Sequence, residues 1–274
     1  MKRSITQQSL FYIIICIATV ISIYPIFLMI LSSFKSNIDV LQKPFSLPSS
    51  FSLGNYKTLL DELPFFHYIV NSVVVSVVSV LLILLFSSLA AFYIARYNFK
   101  WNNGLFFIFL MGMMIPIKLG IVPLFMLMKN LHLTNTLWSL ILMYTAIGIP
   151  LSMLILTGFF RTMPKELEEA ARIDGCTDIG ILKNVLLPLM RPALGTVMII
   201  NFIQIWNDFF FPLIFIQEET KKTLPVGMLS LFGEYSTNWS TLFAGLTLSS
   251  IPMLVLFLFA SKQFMDGLAA GALK

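Results

Sequence analysis

Four stretches of this chain carry no Asp, Glu, Lys or Arg at all: residues 4–34, 68–95, 130–160 and 235–261. Each exceeds the roughly 20 residues that a helix needs to cross a bilayer core. Two further apolar stretches hold one charge each, Lys118 within 101–128 and Asp208 within 192–217. Backbone in hydrocarbon must satisfy its own hydrogen bonds, so uncharged runs of this length read as helices. The pattern predicts an all-α integral membrane fold with six transmembrane helices over about 10–34, 69–95, 105–128, 137–159, 193–216 and 242–262. Only 11% of the 274 residues are charged. A soluble domain has about 25%, so a water-dissolved globule is excluded.

The remaining charges are placed asymmetrically. With the N-terminus in the cytoplasm, eleven of the 18 Lys and Arg fall on inside segments, six fall on outside loops, and Lys118 lies within a span. That bias follows the positive-inside rule. It places both termini in the cytoplasm and accounts for the net charge of +5 without a nucleic-acid partner. Lys2 and Arg3 resemble the start of a signal peptide. The apolar run behind them is about twice the 7–15 residues of a signal core and ends without a small-residue cleavage site, so we expect a retained helix. Cys16 and Cys176 lie at different depths, and no spacing of Cys or His suits a metal. The loop 35–67, punctuated by Pro44, Gly54 and Pro64, reads as turns and short helix.

One segment between spans is neither lipid-like nor a free linker: residues 161–191. Thr162 and Pro164 suit a helix start, and Glu166, Glu168 and Glu169 favour the positive end of its dipole. Gly175 suits the helix stop, since a left-handed residue there wants no Cβ. Asp178 can cap a second helix running to Pro188. Leu167, Ala170, Ala171 and Asp174 recur at helical spacing, which fits either a small and flat face that another protein's backbone can approach or an interfacial helix that only anchors the loop. Glu169 and Arg172 flank that face with charge.

Within this segment, Glu169-Ala170-Ala171 is followed, after three intervening residues, by Gly175, then by nine residues and Val185-Leu186-Leu187-Pro188. This resembles the EAA loop of ATP-binding-cassette importer permeases, with Val185 in place of the usual Ile. The resemblance extends along nearly the entire chain. Asn71-Ser72 resembles the opening of the family's second span. The run from Ala90 to Phe99 resembles its basic turn, Trp206-Asn207-Asp208-Phe209 its fifth span, and the run from Phe264 to Lys274 its C-terminal tail, with Ala269 where Thr is usual. The tail points to carbohydrate permeases of the maltose and multi-sugar type, specifically to the second permease of the heterodimer.

The resemblance implies a single permease domain over 1–274 of the type I importer fold. It has a five-helix core over about 67–262, a coupling loop over about 161–191 and a cytoplasmic tail over 263–274. It implies that Glu169, Ala170, Ala171, Arg172, Asp174, Gly175 and Pro188 dock a separate ATPase, and that Gly267 and Gly271 let the tail thread between two copies of that ATPase. It further implies a second, different permease subunit, an extracytoplasmic sugar-binding protein, a sugar substrate and residence in a prokaryotic cell membrane. The chain has no G-x-x-x-x-G-K-[ST] sequence. ATP and Mg are therefore expected on the partner, with no cofactor on this chain and no enzymatic activity of its own.

Polar residues inside the spans complete the reading. Asn201, Gln204, Asn207 and Asp208 form a polar stripe on one helix, and an ionisable residue at such depth is functional by default. Asn201 and Gln204 either face a sugar path or bridge helices; Asp208 suits a structural or gating role. Lys118 follows Pro116 and precedes Gly120 and Pro123, residues that break a helix beside a cavity. It either shapes substrate preference or snorkels to the outer face. The competing reading is a stand-alone secondary carrier. Such carriers often show repeats and more than six spans, and neither is present.

Overall fold

The computed structural model describes residues 5–232 and 237–272. In chain order it forms α1 (Ile5–Ser32), α2 (Asn37–Gln42), α3 (Gly54–Glu62), α4 (Phe65–Arg96), α5 (Asn102–Met114), α6 (Ile121–Asn130), α7 (Leu137–Thr162), α8 (Glu166–Ile173), α9 (Asp178–Ile181), α10 (Leu187–Leu189), α11 (Arg191–Asn207), α12 (Phe210–Phe215), α13 (Leu224–Gly227) and α14 (Trp239–Ala272). Among the described residues the only β pairing is an isolated bridge between Phe232 and Thr237.

Among the described residues, four helices are long and apolar enough to cross a membrane unbroken: Phe11–Ser32 of α1, α4, α7 and Trp239–Leu258 of α14. Two bent pairs bring the number up to six if each counts as one span. Asn102–Met114 and Ile117–Asn130 meet at 79°, and Asp178–Leu189 and Arg191–Asn207 meet at 81°. The third expected span, 105–128, is therefore not one helix. Pro116 offers no N–H and pushes Ile115 into extended backbone, and the 3-10 turn Ile117–Gly120 carries the chain into α6. The fifth expected span, 193–216, is also interrupted, between α11 and α12 at Asp208. The last expected boundary, near 262, does not exist in the backbone, since α14 runs unbroken to Ala272. Gly267 and Gly271 thus lie on a helix; their surroundings fall outside what is described, as do residues 273 and 274.

The chain divides into two compact units, Met1–Phe66 with Gly227–Ile251 and His67–Val226 with Pro252–Lys274. In the first, the loop after α1 is ordered by its own polar groups. The Lys35 ammonium is buried and donates to the carbonyls of Lys43 (3.1 Å) and Pro44 (2.8 Å). Asn55 Nδ2 donates to the carbonyls of Ser33 and Lys35, both at 2.8 Å. Turns and short helices, not strands, fill this loop as expected.

In the second unit, α4 and α7 are packed by small and polar side chains. Ser76, Ser79 and Ser87 of α4 and Gly148 and Ser152 of α7 are buried, while Leu81, Leu85 and Phe86 are about half exposed. Lipid offers no hydrophobic drive between helices, so close approach of backbones does the work instead. Gly148 is the tightest point. A Cβ there would overlap Ile83 of α4 and lie 2.5 Å from Asn201 Oδ1 of α11.

Candidate functional site

The segment 161–191 folds as helix, turn and helix. Its first helix starts later than the sequence suggests. Thr162 ends α7, and α8 begins at Glu166 after Lys165. Three glutamates occupy its first turn, as expected. At its C-terminal end Gly175 takes φ +81°, Cys176 N–H donates to Ala171 O and Gly175 N–H donates to Arg172 O. This is a Schellman motif, which satisfies the last carbonyls and fixes the exit direction. The second helix is capped by Thr177, whose hydroxyl accepts from Gly180 N–H. Asp178 is its first helical residue rather than its cap. Pro188 has no N–H for the ladder; a π-turn over Leu182–Leu186 absorbs the mismatch, and the chain bends at Met190.

Two contacts tie this corner to the end of α4. Arg96 Nε lies 2.5 Å from Glu168 Oε1, and both side chains are nearly inaccessible. The contact is ionic rather than a well-aligned hydrogen bond. Arg96 Nη2 also donates to Met163 O at 3.1 Å. Next along, Arg172 Nη2 donates to the Tyr97 hydroxyl and to Asp178 Oδ1, each at 2.9 Å. Burial and the Asp178 carboxylate hold the Tyr97 hydroxyl above its ordinary pKa, so it stays a neutral partner. Arg172 is thus engaged inside the chain. Ala171 is buried with Glu168, while Glu169, Ala170, Asp174 and Gly175 are exposed. The outward face of α8 is Glu166, Glu169, Ala170 and Ile173, and Ile173 is 86% exposed. The flat face inferred from Leu167, Ala170, Ala171 and Asp174 is rotated in the structure, because Ala171 turns inward beside Glu168.

The polar stripe of α11 meets the break after α5 at a cavity of about 280 Å³. Lys118, Tyr144, Gly148, Asn201, Gln204 and Asp208 line it, with Ile117, Ile147, Ile205 and Phe211. Asn201 is buried and donates to Ser152 Oγ (2.9 Å) and Val197 O (2.8 Å), so its amide joins α11 to α7. Asp208 accepts from the Tyr144 hydroxyl at 2.7 Å and from the N–H groups of Phe210 and Phe211. It joins the helix break to α7 and caps α12. Lys118 is exposed, with its ammonium 5.1 Å from the Phe210 ring centre. Gln204 is exposed and has no hydrogen-bond partner among the described residues. Asn207 is exposed, bonds back to Ile203 O and does not line the cavity. Trp206 is buried and stacks on Phe202 at 5.6 Å, so it presents no ring to the cavity.

A family model described as the binding-protein-dependent transport system inner membrane component matches residues 83–266. The chain belongs to this family. Among its relatives is a putative ABC transporter permease of Caldicellulosiruptor sp. (strain Rt8B.4), 39% identical over 96% of both chains. The arabinooligosaccharides transport system permease AraQ of Halalkalibacterium halodurans is 36% identical over 93% of this chain and 92% of that one. The diacetylchitobiose uptake system permease NgcG of Streptomyces coelicolor is 33% identical over 93% of this chain and 85% of that one. The fold matches a chain of a bacterial ABC transporter involved in import of the acidic polysaccharide alginate. The TM-score is 0.84 at 22% identity, over 96% of this chain and 99% of that one.

The chain is therefore a multi-pass membrane permease, a transport component and not a catalytic subunit. The sequence alone left several working residues of this permease unmarked. Arg96, Tyr97, Tyr144 and Gly148 acquire their roles from partners 53 to 75 positions away, which no local spacing shows. Arg96 and Glu168 did carry a signal, as two opposite charges flanking spans in an otherwise charge-poor chain.

Proposed function

We propose that this permease is one of two different membrane subunits of an ATP-driven importer that takes up a sugar, an oligosaccharide or glycoside, by alternating access. The observation that carries the reading is the exposure of Ile173 on α8. This helix lies between spans, is tied to the end of α4, and presents Ile173 beside Glu166, Glu169 and Ala170. With the exposed Leu167 and Ile179 of the same segment, this apolar display supports a protein contact. Two copies of an ABC ATPase would take this face, holding ATP and Mg; the permease itself would carry no cofactor. The relatives named for arabinooligosaccharides and diacetylchitobiose support a sugar as cargo. The family description supports delivery by an external binding protein, and a related alginate transporter was solved with a pentasaccharide-bound periplasmic protein.

In this reading Gln204 and Lys118 face the cargo, and Asn201 and Asp208 hold the helices that form the path. The membrane is a prokaryotic cell membrane, with both termini cytoplasmic. The test is to tag the permease, solubilise native membranes gently and identify what co-purifies. A second permease, an ATPase with a Walker A sequence and a sugar-binding protein are expected. Recovery of the permease alone, where a control ABC complex survives the same detergent, returns the stand-alone carrier.

A further inference from the structure

The segment 161–191 is joined covalently to α7 at one end and to α11 at the other. The link to α11 is the 81° joint at Met190. The link to α7 is a short connection through Met163 and Pro164. α8 packs on α9 and on the turn over Leu182–Leu186, and its side chains also reach the end of α4, a helix remote in sequence. One guanidinium, that of Arg96, touches Glu168 in α8 and the carbonyl of Met163 at the end of α7. The adjacent Tyr97 takes Arg172 from the far end of α8, and Arg172 reaches Asp178 at the start of α9.

Two contacts four residues apart along α8 prevent it from either sliding or rotating against α4. The choice of a buried ion pair is informative. Apolar residues of similar volume would often stabilise as well or better. A charge pair adds a defined register, and breaking it strands a buried charge. We propose that Arg96 and Glu168 are positioning residues through which α4 and the end of α7 take up a displacement of α8. A push delivered to α8 then reaches α4 and α7 together, rather than swinging the segment about Met190. Because α4 and α7 meet at Gly148, beside the cavity, that push arrives where the path is lined. This rests on the reading of α8 as the ATPase-facing element.

The test uses the complete complex with Cys16 and Cys176 replaced and a reporter, Ala146→Cys, in the open cavity of about 560 Å³ that Ala146 lines with Pro116 and Lys118. Maleimide labelling is timed without nucleotide and after trapping with ATP and vanadate, so no sugar needs to be known. With the native pair, the two rates should differ about fivefold, the low end of ordinary coupling energies. Glu168→Gln should bring the ratio close to one while the ATPase still co-purifies. The exchange Arg96→Glu with Glu168→Arg should restore part of the difference. An undiminished difference in Glu168→Gln overturns the proposal. So does loss of the ATPase in Glu168→Gln that the exchange does not repair, since the pair would then serve docking alone. If the native pair shows no nucleotide response, the failure lies in the reading of α8 itself.

Discussion

At the scale of single residues, Gly175 is the most constrained position outside the membrane. Its φ of +81° is left-handed, yet a Cβ there would meet nothing within 4 Å. Substitution is therefore opposed by backbone strain, about 1–2 kcal/mol, and not by crowding. Gly175→Asp, which adds a negative charge to the exposed turn, should leave membrane insertion intact and abolish ATPase co-purification, whereas Gly175→Asn, of similar size and conformational tolerance but neutral, should retain most of it. Equal recovery of the ATPase with Asp would remove Gly175 from the docking element. Asn201 and Gln204 part company in the same way. Asn201→Leu deletes a buried interhelical bond worth about 0.6–1.7 kcal/mol and should lower the melting temperature in detergent. Gln204→Ala should leave melting unchanged and raise the KM of uptake. The glutamates after α12 carry a pH dependence. Lys221 and Thr220 hold the Glu218 carboxyl below its ordinary pKa, and Lys222 and Tyr68 do so for Glu219. Lowered values mean the stabilisation is complete above the ordinary carboxylate range and is lost as pH falls through the depressed values. Amide exchange over 218–222 should accelerate on acidification below about pH 4.5; pH-independent exchange after correction for intrinsic rates would contradict it.

At the scale of elements, the four charge-free stretches became four continuous helices, and both stretches that held one charge proved to be broken. Pro116 and Gly120 announced the first break, since proline and glycine act locally. The second was not legible. Asp208 looks like one more polar residue on a stripe until Tyr144 and the N–H groups of Phe210 and Phe211 converge on it. Caps were misplaced for a similar reason. Thr177 and Asp178 are both good capping residues, and Asp178 is claimed by Arg172 six residues back, across the turn at Gly175. Helical spacing marks Leu167, Ala170, Ala171 and Asp174 as one face but not its direction, and the structure turns Ala171 inward. Packing between elements gives a further prediction. Gly148→Ala drives a methyl into Ile83 and the Asn201 amide, with an overpacking cost of about 1–3 kcal/mol. Gly245→Ala meets chiefly the flexible end of Met228, which can move aside. Thermal unfolding in detergent should therefore show a clear loss for the first and a smaller one for the second.

At the scale of the whole molecule, the chain carries apolar side chains on both sides of its packing, with Leu59, Phe92, Leu140 and Phe160 buried while Leu81, Phe107, Met114 and Leu258 are half exposed or more, and buried serines share the interior. None of the spanning window of α1 is buried within the chain, against 56% for α7. The length of such a surface was legible from the sequence; which parts of it meet lipid and which meet other subunits was not, because both present the same apolar composition. The inside excess of Lys and Arg supplies a whole-molecule expectation of its own. Protease added to sealed right-side-out vesicles should spare tags at both termini and remove them once the vesicles are opened. Cleavage of either tag in sealed vesicles would reverse the assigned orientation.

The proline that breaks the third span has an electrical consequence. Without an N–H at Pro116, the Gly112 carbonyl has no amide at the next turn to accept from, and both residues line the open cavity. A carbonyl without a partner is costly in hydrocarbon, and Gly112 is exposed to that cavity, so water is the partner expected there. Water at that depth would carry the high-dielectric phase into the span, and the membrane voltage would fall across a thinner dry layer. With the Lys118 charge lining the same cavity, uptake should respond to membrane potential more in the native permease than in Lys118→Gln.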